Sequence, residues 1–163
     1  MISNLPKTIL VTASDKASNK TELTVETTLQ EKIIIKLFIG KSIIIVNDKT
    51  SPLDSSPYLD KNSGRTMVPL RAIAESIGAV VSFDPKTQRI DITKETTSIQ
   101  LWIGKPKALV NGAEVDIDSD KPVSPVIIQG RTFLPLRFTG ETLGFKVDWD
   151  ASTQRITLTY PKD

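Results

Sequence analysis

The stretch "GRTFLPLRF" at residues 130–138 decides the fold, because a close variant, "GRTMVPLRA", stands at residues 64–72. The similarity extends beyond these letters: residues 64–93 and 130–159 align without a gap and agree at 15 of 30 positions. Self-similarity at a fixed spacing is typical of a repeated structural unit. The sequence therefore indicates a tandem repeat.

The match continues upstream of this phrase. "IKLFIG" (35–40) aligns with "IQLWIG" (99–104) once a loop absorbs a two-residue difference in length. Residues 33–95 therefore form repeat 1 and residues 96–163 form repeat 2, whereas residues 1–32 are an N-terminal arm or strand, or the end of a preceding domain. A copy of roughly 60 residues is marginal as an independent domain, so we expect the repeats to pack together.

The composition argues against several kinds of partner. The chain has 163 residues, a net charge of +2 and 19 acidic residues interspersed with its basic ones. No basic stripe predicts a nucleic-acid partner, and no apolar run approaches the ~20 residues that would insert directly into a membrane. The opening "MISNLPKTILVT" lacks the features of a signal peptide. If the native protein is exported, we expect this chain to be a fragment of it.

Two residue types are missing, and their absence argues against enzyme chemistry. The sequence has no cysteine and no histidine. Disulfides, thiol nucleophiles, Ser-His-Asp triads, zinc peptidase motifs and imidazole copper sites are therefore excluded. Paired carboxylates could hydrolyse glycosides, but no motif selects two of the acids. We predict that the chain is not an enzyme and holds no cofactor or metal.

Each repeat begins with an expected hairpin. Apolar residues alternate along 35–39 and 99–103, the period of a strand, and second strands are expected at 43–46 and 107–110. Asn-Asp or Asn-Gly then supplies turn residues that tolerate positive φ. Loops rich in Pro, Ser and Asp are expected next, at residues 51–63 and 116–125.

The quoted phrase predicts the start of a helix. Pro69 and Pro135 suit the first helical turn, where a missing N–H costs nothing. Gly78 and Gly144 end the helices. Apolar or small residues then face a sheet: Leu70, Ile73, Ala74 and Ile77 in repeat 1, and Leu136, Thr139, Gly140 and Leu143 in repeat 2.

Further strands complete each repeat. Val81 and Phe83, and then Ile90 and Ile92, restore a period of two around the turn "DPKTQR", and "DASTQR" opens the equivalent turn in repeat 2. A short third strand is expected near Met67 or Phe133. The predicted fold class is α+β, a small antiparallel sheet with one short helix on its face, in the order β-β-(β)-α-β-β. Before the repeats, residues 22–29 alternate like a strand and residues 13–20 indicate a loop.

In this order, "VNG", "GRTFLPLRF", "ETLGFKVDWD" and "TQRITL" resemble the copper amine oxidase N-terminal domain family, also called the stalk-domain family. The resemblance covers about residues 33–160, twice over, with "VND" and "GRTMVPLRA" as departures in the first copy. It implies an antiparallel sheet wrapped around a helix, usually in tandem, in exported or surface-layer proteins of Gram-positive bacteria. The namesake enzyme needs copper held by three histidines and a quinone made from a tyrosine. Without histidine, Tyr58 and Tyr160 cannot be such precursors.

The resemblance implies a non-catalytic module of an exported or cell-surface protein, acting as a spacer, stalk or protein-interaction domain. Its partners would be other domains of the same exported protein, a surface protein or a cell-wall polymer. The location implied is extracellular, at the cell wall or surface layer. The alternative is a carbohydrate- or cell-wall-binding module that uses exposed aromatic residues and arginines.

Two aromatic residues are candidates for such binding. Phe38 and Trp102 fall on the face of their strands opposite the apolar set, where they could stack on sugars or a partner protein. They could equally cover a second small core between the repeats or pack under the N-terminal segment.

Four arginines are the other candidates. Arg71 and Arg137 are each followed by a glutamate at i+4, an arrangement that usually forms an exposed ion pair. Arg65 and Arg131 could reach Asp84 and Asp150 across the fold. Structural roles are expected for all four, with binding of an acidic partner or a cell-wall anion as the alternative.

A short acidic stretch imitates the opening of a calcium loop. In "VDIDSDKP", Asp116, Asp118 and Asp120 alternate, but the glycine and distal glutamate of the familiar form are missing. We expect a solvated loop.

Overall fold

The computed structural model describes the backbone of residues 6–14, 20–28 and 31–163, and the side chains of residues 31–163. The chain divides into two compact units, Met1–Lys32 and Ile33–Asp163. No helix among the described residues is long and apolar enough to cross a membrane.

The first unit contains an antiparallel hairpin. β1 (Pro6–Ser14) pairs with β2 (Lys20–Thr28) from Pro6 opposite Thr28 to Ser14 opposite Lys20. β2 confirms the strand predicted at residues 22–29. β1 was not predicted, and the middle of the loop expected at 13–20 lies outside the described residues.

The second unit consists of short strands and two helices, mostly antiparallel sheet, which confirms the α+β class. In chain order the elements are β3 (Ile33–Phe38), β4 (Ile43–Val46), β5 (Lys49–Pro52), β6 (Tyr58–Asp60), β7 (Arg65–Pro69), α1 (Leu70–Ser76), β8 (Val80–Asp84), β9 (Arg89–Lys94), β10 (Thr97–Trp102), β11 (Lys107–Val110), β12 (Ala113–Asp116), β13 (Val126–Ile128), β14 (Arg131–Pro135), α2 (Leu136–Leu143), β15 (Lys146–Asp150) and β16 (Arg155–Tyr160).

Three sheets organise this unit. The first five-stranded sheet has the order β15-β16-β3-β4-β5, and the second has the order β12-β11-β10-β9-β8. A four-stranded sheet has the order β13-β14-β7-β6. Every pairing is antiparallel. α1 contacts β8 of the second five-stranded sheet, and α2 contacts β15 of the first.

Both halves of the sequence, 33–95 and 96–163, contribute to all three sheets. β3 from the first half pairs with β16 from the second, along a register from Ile33 opposite Tyr160 to Phe38 opposite Arg155. β9 pairs with β10 across the short turn at residues 95–96, where the sequence halves meet. β7 pairs with β14 in the four-stranded sheet. Neither half therefore has a sheet of its own.

In both halves, the Gly-Arg-Thr stretch (residues 64–72 and 130–138) forms a strand that leads directly into a helix. β7 and β14 contain the third strands expected near Met67 and Phe133. α1 and α2 begin immediately after Pro69 and Pro135, whose missing N–H leaves no donor unsatisfied there. α2 ends at Gly144, which adopts the left-handed conformation with φ 79°. The predicted helices are confirmed.

The helices bury one face each against the sheets. α1 buries the predicted Leu70, Ile73 and Ala74. In α2, Phe138 is buried, whereas the predicted Leu136 is half-buried and packs against the margin of the core. The main core is one cluster that draws on both helices and both five-stranded sheets.

The Asn turns form as expected, but the strands after them were missed. Asn47 and Asp48 have φ of 46° and 66°, as the type I′ geometry of a two-residue hairpin requires. β5, which follows this turn, is exposed at all four residues and polar at three, and its last two residues lie within the expected loop 51–63. β6 lies wholly within that loop, and β13 follows the expected loop 116–125. Edge strands of this kind carry little hydrophobic alternation, so hydrogen bonding to a neighbour defines them.

Candidate functional site

The two aromatic candidates lie at equivalent strand ends on different sheets. Phe38 ends β3 opposite Arg155, and Trp102 ends β10 opposite Arg89. Both are half-buried on the side away from the main core, as their period predicts. The ammonium group of Lys41 lies 5.2 Å from the centre of the Phe38 ring and covers part of it.

Arg65 is held by the acidic stretch of the other half. Its Nε and Nη2 donate to the two carboxylate oxygens of Asp118 at 2.5 and 2.9 Å, and Nη2 also donates to Asp120 at 3.0 Å. Asp118 further accepts from the backbone N–H groups of Asp120 and Lys121. The Arg65 guanidinium holds the pKa of the Asp118 carboxyl well below its usual range. This forked pairing fixes the acidic loop against the strand that bears Arg65.

Arg131 makes the reciprocal contact. Its Nε and Nη2 donate to Oδ2 of Asp54, at 2.9 and 2.5 Å, from the second half to the first. Asp54 and Asp118 occupy matching places in the loops of the two halves. This pair is more exposed than the Arg65–Asp118 pair and contributes less to the stability of the fold.

The predicted partners of Arg65 and Arg131 were therefore wrong. Asp84 and Asp150 instead close their own turns. Thr87 donates its hydroxyl to Asp84 at 2.7 Å, and Thr153 does the same to Asp150. Hydrogen bonds from Ser152 and Thr153 lower the pKa of Asp150 to about 2. The carboxylates are satisfied locally, so a distant arginine gains little by approaching them.

The acidic stretch is used for these ion pairs. Asp118 and Asp120 both face Arg65, whereas Asp116 lies exposed at the end of β12. In residues 6–14, 20–28 and 31–163, no cluster of three or more acidic side chains has the arrangement of a metal site.

The two helix arginines differ. Arg71 and Glu75 form the expected i,i+4 pair, with 3.6 Å between Nη1 and Oε1. In the described part of the chain, the side chains of Arg137 and Glu141 form no ion pair with each other or with any other group. The second expected pair is therefore absent.

Two clefts of similar construction flank the four-stranded sheet. The Trp149 cleft, about 520 Å³ in volume, lies between the start of α2, the edge strand β15 and the turn before β7. The Phe83 cleft, about 570 Å³, lies between the start of α1, the edge strand β8 and the turn before β14. The arginines of the quoted phrases line both: Arg65 and Arg137 line the first, and Arg71 and Arg131 line the second.

Sequence reasoning missed the aromatic residues that line these clefts. Trp149 and Phe83 are register partners of the buried Ile156 and Ile90, so they share the core-facing side of their sheets. They are nevertheless 48% and 37% exposed, because β15 and β8 are edge strands. A signal was present: in both halves an aromatic residue directly precedes the aspartate that opens the last turn.

A family model for the copper amine oxidase N-terminal domain matches residues 56–158, more than half of the chain. The chain belongs to this family. The match is a single copy that runs from just before β6 to within β16, across both halves, rather than two matches. No curated protein matches the chain. The family's domain is the non-catalytic N-terminal part of copper amine oxidases, which fits a non-catalytic module.

Proposed function

We propose that this chain is a non-catalytic module of an exported or cell-surface bacterial protein, in which it acts as a spacer or a protein-interaction domain. We also propose that its halves are tandem copies of one unit. Family membership supports the first statement, and the agreement at 15 of 30 positions supports the second.

The observation that carries the proposal is the exchange of strands between the halves. The first five-stranded sheet is closed by β3 and β16, which lie at opposite ends of the second unit's sequence. Separating the halves would break this sheet, the β9–β10 pairing and the β7–β14 pairing together. A module of this kind resists partial opening, as a spacer under load must.

The reciprocal ion pairs add to this rigidity. Arg65–Asp118 and Arg131–Asp54 each join one half to the other beside the four-stranded sheet. Arg65 and Arg131, two of the four arginines that could have bound an acidic partner, are thus paired within the module. Their arrangement favours a structural role.

Cooperative unfolding tests the spacer role. Trp102 lies in the second five-stranded sheet and Trp149 in the first, so the single-tryptophan variants Trp149→Phe and Trp102→Phe each report on one sheet. We expect urea transitions with the same midpoint at both tryptophans, since strand exchange makes the unit a single cooperative structure. Two separated transitions would contradict the proposal.

Location and spacer action are tested in the producing bacterium. Fractionation should place the protein that contains this chain in the wall or medium. Replacing residues 33–163 with an unrelated rigid domain of similar length should preserve the parent protein's function, whereas a flexible Gly-Ser linker should not. If the rigid replacement abolishes function, a specific interaction rather than spacing is the role.

A direct assay tests the absence of catalysis. The purified chain, incubated with copper and primary amines, should release no hydrogen peroxide, because no histidine is present to bind the metal. Turnover above the buffer control would contradict the non-catalytic proposal.

A further inference from the structure

The Trp149 cleft leaves much of an indole ring exposed to solvent. Trp149 stands on the core-facing side of β15, yet nearly half of it remains in contact with solvent inside a concave surface. A large aromatic group in a cleft with a few polar neighbours is the usual construction of a small-molecule site.

Free charges lie in the same cleft. Arg137 and Glu141 project from the first turns of α2, exposed, and make no ion pair or hydrogen bond through their side chains among the described residues. Lys162 adds a further basic group. Arg65 is already neutralised by Asp118 and Asp120, so Arg137 is the guanidinium available to a ligand.

The Phe83 cleft lacks this combination. Its helix arginine, Arg71, is paired with Glu75, and its other arginine, Arg131, is paired with Asp54. The smaller ring of Phe83 has no N–H to offer a ligand. The two clefts share a backbone arrangement and differ in available chemistry, which makes the Phe83 cleft an internal control.

We propose that the Trp149 cleft binds an acidic saccharide. The apolar C–H face of a sugar ring stacks on the indole of Trp149, while the guanidinium of Arg137 pairs with a sugar carboxylate through two parallel hydrogen bonds. The carboxylate of Glu141 accepts hydrogen bonds from sugar hydroxyls. Among the described residues, Arg137 and Lys162 line the cleft without an ion pair, against the single unpaired carboxylate of Glu141. Arg65 and Lys146 are paired with Asp118 and Asp148, so the unpaired charges that remain favour an anionic ligand.

This activity goes beyond the spacer role and does not depend on it. It keeps Arg137 from the candidate arginines but places the stacking at Trp149 and not at the aromatic residues that the sequence suggested. Phe38 is covered in part by Lys41, and neither Phe38 nor Trp102 lines either cleft.

Calorimetric titration of the whole chain tests the proposal. The probes are three carboxylate-bearing saccharides, namely oligogalacturonate, hyaluronan oligosaccharides and muramic-acid-containing wall fragments, with neutral cello-oligosaccharides and a phosphate-bearing teichoic acid for comparison. We expect binding of at least one carboxylated probe, in preference to the neutral and phosphorylated ones. In a Trp102→Phe background, the same probe should quench the fluorescence of Trp149.

Matched variants locate the site. Trp149→Ala should weaken binding by roughly tenfold. Arg137→Gln should remove the preference for the acidic over the neutral saccharide. The controls Phe83→Ala and Arg71→Gln, in the other cleft, should bind as the wild type does. Melting temperatures establish whether each variant is folded. If Trp149→Ala is not folded, the binding by Arg137→Gln and the NMR shift of the Trp149 indole N–H with the probe decide whether this cleft is the site.

Three results would overturn the inference. These are no binding of any carboxylated probe by the folded wild type, unchanged binding by Trp149→Ala, and an equal loss in the Phe83 cleft variants. Each would leave coincident unfolding of the two sheets intact, so this inference and the spacer proposal can fail separately.

Discussion

Single side chains in this module make contacts between distant parts of the sequence. Asp118 is only 9% exposed and accepts both a guanidinium and backbone N–H groups, so its charged form is strongly favoured in the folded state. Asn111 receives the N–H of Ser98 on its side-chain oxygen while adopting φ 50°. At each of these two positions, few other side chains could accept the same hydrogen bonds.

Asp118→Asn should lower the melting temperature at pH 7 by about 3–6 °C, because the ion pair with Arg65 is lost. The pKa of Asp118 is depressed on folding, so its contribution is complete above its ordinary pKa of about 4 and disappears as the pH falls below that value. Thermal melts from pH 7 to pH 2 should show the wild type and the variant converging at the acid end.

The matched control for this change is Asp48→Asn. Asp48 is paired with Lys36 at 3.2 Å, but its side chain is almost fully exposed. Its loss should leave the melting temperature within about 1 °C of the wild type. A constant difference between wild type and Asp118→Asn at every pH would show that the carboxylate charge is not responsible.

Asn111→Ala should destabilise the module by about 1–2 kcal/mol, since it removes a hydrogen bond and replaces asparagine, which tolerates the left-handed conformation, by alanine, which does so less well. Asn111→Gly also removes the hydrogen bond, but glycine adopts this conformation without strain and should recover part of the loss. Urea unfolding measures both. Asn62→Ala, at an exposed turn without this φ, is the control and should change stability by less than about 0.5 kcal/mol. Equal destabilisation by Ala and Gly at position 111 would show that the left-handed backbone conformation does not contribute to the effect.

At the scale of elements, each helix is short and depends on close packing against its sheet. α2 spans eight residues and α1 seven, too few to be stable alone. Gly140 lies directly on the sheet, and a Cβ there would clash with Cγ2 of Val147. The corresponding position in α1 is the fully buried Ala74. Gly140, which was predicted to face the sheet, therefore lies where the helix comes too close to leave room for a side chain.

Gly140→Ala should therefore destabilise the module by about 1–3 kcal/mol, although alanine is the better helix former. Val147→Ala removes the clashing atom, so the double variant should be more stable than the two single effects predict when added. Denaturant unfolding of the four proteins in this cycle tests the idea. Strict additivity would mean that contact with Val147 is not the cause.

At the scale of the whole molecule, the second unit is closed by the pairing of β3 with β16, the strands at its two ends. Isolated residues 33–95 would lack the partners that β16, β14 and β10 provide to β3, β7 and β9. The exposed edges would include the highly apolar Ile33–Phe38 strand, which makes aggregation a risk. A second copy could supply partners through the same exchange.

Residues 33–95 expressed alone should consequently form a dimer or aggregate, and not a folded monomer. Size-exclusion chromatography with light scattering gives the mass, and circular dichroism reports folding. Residues 33–163 provide the control and should be monomeric with a cooperative melt. A monomeric half with a sharp thermal transition would show that strand exchange is not required.

The sequence alone determined the features that depend only on residues close together along the chain. The turns at Asn47 and Asn111, the helix starts after Pro69 and Pro135, and the left-handed Gly144 all formed as predicted. Each depends on backbone preferences or on hydrogen bonds between residues a few positions apart, so the local sequence is enough to predict it.

Partner choice was decided only by the tertiary structure. The sequence does not reveal that β3 pairs with β16, that Arg65 meets Asp118 instead of Asp84, or that Trp149 opens into a cleft. Backbone hydrogen bonds are alike for all strands, and exposure depends on which strand lies at a sheet edge. The choice of strand partner and the exposure of a side chain both depend on contacts between residues far apart in the chain. Such contacts exist only once the strands of the two halves have paired.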